Sequence, residues 1–169
     1  MINENLKLKG DVSIVLKDKS GKVKEERSIK NLIVTAGLGF IASRMAGTGD
    51  AVMSHMGLGS GTTAAAAGQT DLVSILGSRE ALDSSTVVSN TVAYVSSFEA
   101  GDATGAITEA GIFNKQAMIG ANGNVGGIGS SSGVNKDQSM LCRTRFKQVN
   151  KAPQDSLQIT WSIKIADQT

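Results

Sequence analysis

Three carboxylates close together in the chain, Glu99, Asp102 and Glu109, are the residue type that general acid–base catalysis uses when two of them converge in a pocket with unequal environments. No second signal of such a pocket accompanies them, so they read as loop and rim carboxylates. The run Gly57-Leu58-Gly59-Ser60-Gly61 has glycines that would let backbone N–H groups approach an anion closely. It lacks the Gly-Lys-Ser/Thr ending of a phosphate loop and the strand-to-helix spacing of a dinucleotide site, and it reads as a structural turn. Cys142 adjoins Arg143 and lies close to Arg145, and neighbouring cations lower a thiol pKa. Strand parity instead groups Cys142 with Met140 and Phe146, which makes it a buried structural residue. The row Arg143, Arg145, Lys147 shares one face of the same segment and reads as a solvated or partner-facing surface. No aromatic residue interleaves it as in a nucleic-acid groove.

A single histidine, His55, and a single cysteine exclude a multi-His or multi-Cys metal site, a catalytic triad with a spare His and an intrachain disulfide. No cofactor is implied, and no catalytic set emerges, so the expectation is a protein that is not an enzyme. The 169 residues with net charge +2 suit one compact domain, 1–169. The start MINENLKLKG lacks the apolar run of a signal peptide, and no stretch has the 18 or more apolar residues of a membrane span. Neither a membrane nor a nucleic acid is therefore expected as a partner.

The elements that must position these residues are mainly strands. Twenty Gly and one Pro favour short strands and tight turns. Leu6 to Leu16 alternates apolar residues, Asp18 to Gly21 turns, and the charged stretch Val23 to Ile29 returns as an exposed edge of an N-terminal hairpin over 6–30. Thr35 is positioned to cap a short helix, Ala36 to Met45, that Gly37 and Gly39 weaken. Val52, Met56 and Leu58 form the apolar side of a strand, with Met53, His55 and Gly57 opposite. Gln69 to Leu76 suits one or two helical turns. Thr86 to Val88, a Ser89-Asn90 turn and Val92 to Phe98 make a hairpin. Ile107 to Phe113 is a strand, 114–139 is a Gly/Ser-rich loop, and Met140 to Lys147 is another strand. Leu157, Ile159, Trp161, Ile163 and Ile165 alternate with polar residues in a last strand that belongs at the centre of a sheet. The expected architecture is a mainly-β antiparallel sandwich of seven to nine strands with one or two short helices.

The order of segments carries a resemblance. The stretches Asn31 to Val34, Ser54 to Ala64 and Leu72 to Leu76 ahead of Arg79, then Ala106-Ile107-Thr108-Glu109-Ala110-Gly111-Ile112-Phe113-Asn114, Met140 to Phe146, and Val149-Asn150-Lys151 before the last strand, resemble tailed-bacteriophage virion structural proteins. More distantly they resemble the N-terminal domain of phage tail-collar fibre proteins, though those continue into long fibre repeats. The resemblance covers roughly residues 6 to 165 and is most specific at Thr108 to Asn114 and Lys151. It implies a virion protein assembled in the host cytoplasm, a homo-oligomer in the form of a trimer or ring, docked on other virion proteins at the collar, tail or fibre-attachment level. The alternatives are a capsid decoration protein, clasping subunits with the N-terminal hairpin or the Gly-rich loop, and, in another class, a carbohydrate-binding module. The residues expected at a partner interface are Glu109, Gly111, Phe113, Arg143, Arg145, Lys147 and Lys151, with Glu109 and Lys151 expected as a charge pair.

Overall fold

The structure, a computed structural model, describes residues 6–47, 51–116 and 140–167. The chain runs through β1 (Leu6–Lys17), β2 (Val23–Lys30), β3 (Leu32–Ile33), α1 (Thr35–Met45), β4 (His55–Gly59), β5 (Glu80–Ala81), β6 (Ser84–Val88), β7 (Thr91–Phe98), β8 (Gly105–Phe113), β9 (Met140–Lys151) and β10 (Ser156–Asp167). It is mainly β, with two antiparallel five-stranded sheets ordered β2-β1-β10-β7-β6 and β3-β9-β8-β4-β5. The described residues thus hold ten strands, one more than the upper expectation, and two of them, β3 and β5, are only two residues long.

Alternation builds the first sheet. Val12, Ile14 and Leu16 on β1, Leu157, Ile159, Trp161 and Ile163 on β10, and Tyr94 and Phe98 on β7 all face inward and are buried. Trp161 sits on the middle strand, opposite Val12 on one side and Tyr94 on the other. Burying an indole of that size is worth about 4–6 kcal/mol at ~25 cal/mol per Å². The N-terminal hairpin turns at Asp18, whose carboxylate accepts from the Ser20 N–H (2.8 Å), the Ser20 hydroxyl (2.6 Å) and the Lys22 N–H (3.1 Å). The β6–β7 hairpin turns at Ser89-Asn90 as expected, with Ser89 taking the left-handed conformation (φ 54°).

Three local expectations are corrected. Thr35 is the first helical residue, not the cap. Val34 occupies the cap position without a side-chain bond, and the Thr35 N–H donates to the Ala67 carbonyl at 2.8 Å, so a loop carbonyl replaces a capping side chain. The strand around His55 begins only at His55, and ahead of it Met53 is buried while Val52 is exposed, the reverse of the expected sides. Gln69 to Leu76 is not helical; it runs as an extended loop with a single bridge between Ile75 and Gly59. Gly37, which costs α1 about 1 kcal/mol in propensity, lets the helix lie against β9, because a Cβ there would collide with the Leu141 carbonyl. Of the loop expected over 114–139, only residues 114–116 fall among those described; the Gly/Ser-rich remainder lies outside them.

Candidate functional site

The run Thr108 to Asn114 occupies β8, inside the second sheet. A register shift between Ile107 and Glu109 lets Ile107, Ala110 and Ile112 face the core while Glu109, Gly111 and Phe113 turn to the sheet's other side. That other side is roofed by residues 60–79. Glu109 is fully buried beneath the roof, which corrects its reading as a rim carboxylate.

The carboxylate holds the roof in place. Its Oε1 accepts from the backbone N–H groups of Gly61 (3.0 Å) and Ser74 (2.8 Å), and its Oε2 from the N–H of Val73 (3.1 Å). Arg143, on β9, donates to the same Oε2 from Nε at 2.8 Å and lies within 2.6 Å through Nη2, and both side chains are fully buried. The Arg143 guanidinium also reaches the Gln69 Oε1 and the Thr63 carbonyl, each at 2.9 Å. Next to it, the Thr108 hydroxyl donates to the Gly61 carbonyl at 2.8 Å. Burial acts to raise the Glu109 pKa, but the N–H groups of Ser74 and Val73 and the Arg143 guanidinium outweigh it, leaving the carboxyl below its ordinary value. The glycine run does meet an anion, and the anion is internal. A Cβ on Gly59 would come within 2.5 Å of both the Glu109 Oε1 and the Ser74 carbonyl oxygen. Gly57 and Gly59 therefore belong to strand β4, and Gly61 to the cradle beyond it, rather than to a free turn.

A second contact closes the roof. The Phe113 ring lies close over Gly111, and the Arg79 guanidinium stacks on that ring at 3.5 Å from its centre. Arg79 is itself buried, donating to the Asp71 Oδ1 at 2.8 Å and the Lys115 carbonyl at 3.1 Å.

Glu109 and Lys151 do not meet. Lys151, at the end of β9, is buried and donates from Nζ to the Glu99 carbonyl at 2.7 Å. Burial lowers its pKa, and the nearby charges of Asp102, Asp155 and Glu99 oppose that shift without cancelling it. Asp155 accepts from the Lys24 Nζ at 2.6 Å and from the Ala152 N–H at 3.0 Å. The Asp102 Oδ2 accepts from the Glu99 N–H at 3.1 Å. Glu99 and Asp102 are loop residues, as expected. The row Arg143, Arg145, Lys147 is split by the roof, which buries Arg143 and leaves Arg145 and Lys147 exposed. Beside them the Arg27 guanidinium donates to the Gln148 carbonyl at 3.0 Å and also to the Lys147 carbonyl, tying β2 to β9. Cys142 is buried, and burial pushes its thiol pKa well up, as a structural cysteine requires.

All six aromatic residues are buried: Phe40, Tyr94, Phe98, Phe113, Phe146 and Trp161. Among the described residues no group of three or more His, Cys, Asp or Glu is arranged to hold a metal ion, and no helix is long and apolar enough to cross a membrane. Compared with family models, curated proteins and solved structures, the chain matches none. The arrangement of Glu109, Arg143, Arg79 and Phe113 is a lock, since each charged group in it is engaged by the chain's own backbone or side chains. Gln69, Val73, Ser74 and Arg79, to which the sequence pattern assigns no site role, complete the lock. The available signal was a charged residue inside each of two apolar runs, Glu109 and Arg143, because charges in such positions are rarely buried unless paired.

Proposed function

We propose that this chain is a non-enzymatic structural component of a tailed-phage virion, assembled in the host cytoplasm, associating with copies of itself and docking on other virion proteins at the collar, tail or fibre-attachment level. The observation that carries the reading is the role of the resembling residues. Glu109, Gly111, Phe113 and Arg143 fasten the 60–79 roof to the second sheet, and Lys151 anchors the loop ahead of β8. Their chemistry is spent on holding the fold, which suits a rigid building block. Of the residues expected at a partner interface, Arg145 and Lys147 keep exposed charges for contact with an acidic surface.

Two features weigh against the alternatives. β1 is paired to β10 over its whole length, so the N-terminal hairpin is part of the sheet's body and unsuited to clasping capsid subunits. A sugar-binding face needs an exposed aromatic platform, and every Phe, Tyr and Trp of the chain is buried. Cryo-electron microscopy of the particle whose genome encodes this chain tests the proposal. Density for the two-sheet fold at the neck or tail is the expected result. Density repeated over the capsid lattice would transfer the chain to decoration, and its absence from the particle would end both readings.

A further inference from the structure

The two edges of the first sheet are built differently. β2 carries five charged residues out of eight, Lys24, Glu25, Glu26, Arg27 and Lys30, and is stitched to β9 through Arg27 and through the Thr144 hydroxyl, which donates to the Lys30 carbonyl at 2.9 Å. Charges and a covered flank are the usual protections of a sheet edge. β6 has neither. Its sequence is Ser84-Ser85-Thr86-Val87-Val88, all five residues are exposed, and among the described residues its one ladder is with β7. Val87 and Val88 stand 68% and 69% exposed.

We propose that β6 is the seam of a two-fold dimer, pairing antiparallel with β6 of a second copy to make one continuous ten-stranded sheet. The strand is complementary to itself. A two-fold axis at Thr86 pairs all five residues, Ser84 with Val88, Ser85 with Val87 and Thr86 with its twin, and no charge meets a like charge. Thr–Thr pairs directly across antiparallel strands are favourable. Val87, which ends the row Ile163, Val92, Val87 of residues opposite one another on β10, β7 and β6, then lies against Ser85 of the second copy instead of against water. A foreign peptide added to an edge is selected through pockets for its alternate side chains. The small side chains of β6 offer no such selection, whereas a second copy needs none. The pairing does not depend on where in a particle the chain sits.

Sedimentation equilibrium of the full chain, with circular dichroism to confirm folding, is the test. The wild type is expected to be a monomer–dimer system. Thr86→Lys places two like charges face to face and should raise the dimer dissociation constant at least about tenfold, as should Thr86→Glu. An equimolar mixture of the two variants should restore dimer, because the opposed charges then attract. Cysteine variants test the register independently, since Cys142 is buried. Under mild oxidation Thr86→Cys should cross-link to a dimer and Val88→Cys should not. A wild type that stays monomeric to about 100 µM, an oligomer indifferent to Thr86→Lys, a mixture that fails to recover, or equal cross-linking at both positions would each overturn the proposal.

Discussion

The two sheets hide different things. The first buries an almost uninterrupted apolar face on three strands, with Trp161 at its middle and water on much of its other side. The second is covered on both faces, and on the outer one it buries an ion pair, Glu109 with Arg143, under the 60–79 loop. Apolar burial is non-directional and tolerates small shifts, whereas a carboxylate accepting three backbone N–H bonds and a guanidinium fixes the loop's position. Strength in one sheet comes from area, and in the other from geometry.

Matched substitutions separate the two. Arg143→Met leaves the Glu109 carboxylate buried without its counter-charge and should cost about 3–5 kcal/mol. Hydrogen exchange should then rise selectively at Val73 and Ser74. Trp161→Ala should cost a similar amount, about 3–5 kcal/mol, through the cavity it leaves, and denaturant unfolding should show that loss without selective opening of the roof. Replacing the pair by Glu109→Leu with Arg143→Met removes the charge penalty but orphans the N–H groups of Gly61, Val73 and Ser74. We expect the double variant to remain about 1–3 kcal/mol less stable than wild type. Full recovery would mean that the pair serves only itself.

Acid gives a finer distinction. Because Glu109 is held below its ordinary value of 4.5, the unfolded chain binds more protons than the folded one between the two values. The stability Glu109 supplies is complete above 4.5 and is lost as pH falls through that value towards its folded one. Thermal melts against pH should show this acid loss in wild type, and Glu109→Gln should flatten part of it. Asp155 and Asp18, also lowered by their hydrogen bonds, will keep a slope in that variant.

Much of the first sheet is legible in the sequence because its strands have one covered face, and period two survives in β1, β7 and β10. The Ser89-Asn90 turn and the central place of β10 follow from the same pattern. The second sheet is less legible because both its faces are covered, so Met140, Leu141, Cys142 and Arg143 are all buried and alternation carries no information there. The Gln69 to Leu76 loop has helical spacing, yet Glu109 takes the N–H groups of Val73 and Ser74 that a helix would have used internally. A contact 35 residues distant in sequence overrode the local preference. Lys151 was recognisable as a residue of consequence, but its partner was a backbone carbonyl, which no residue type announces.

The adjacency of β1 and β10 also sets the timing of folding. β10 is the middle strand of its sheet and bonds β1 on one flank and β7 on the other, so neither gains this neighbour until Ser156 to Asp167 has left the ribosome. Closing a loop from Leu6 to Asp167 is entropically slow compared with forming either hairpin. During synthesis the nascent chain therefore exposes Val12, Ile14 and Leu16 on one side and Tyr94 and Phe98 on the other, with the strand that joins them arriving last. Until β10 is made, each of those two apolar faces lacks the strand that lies between them in the folded sheet.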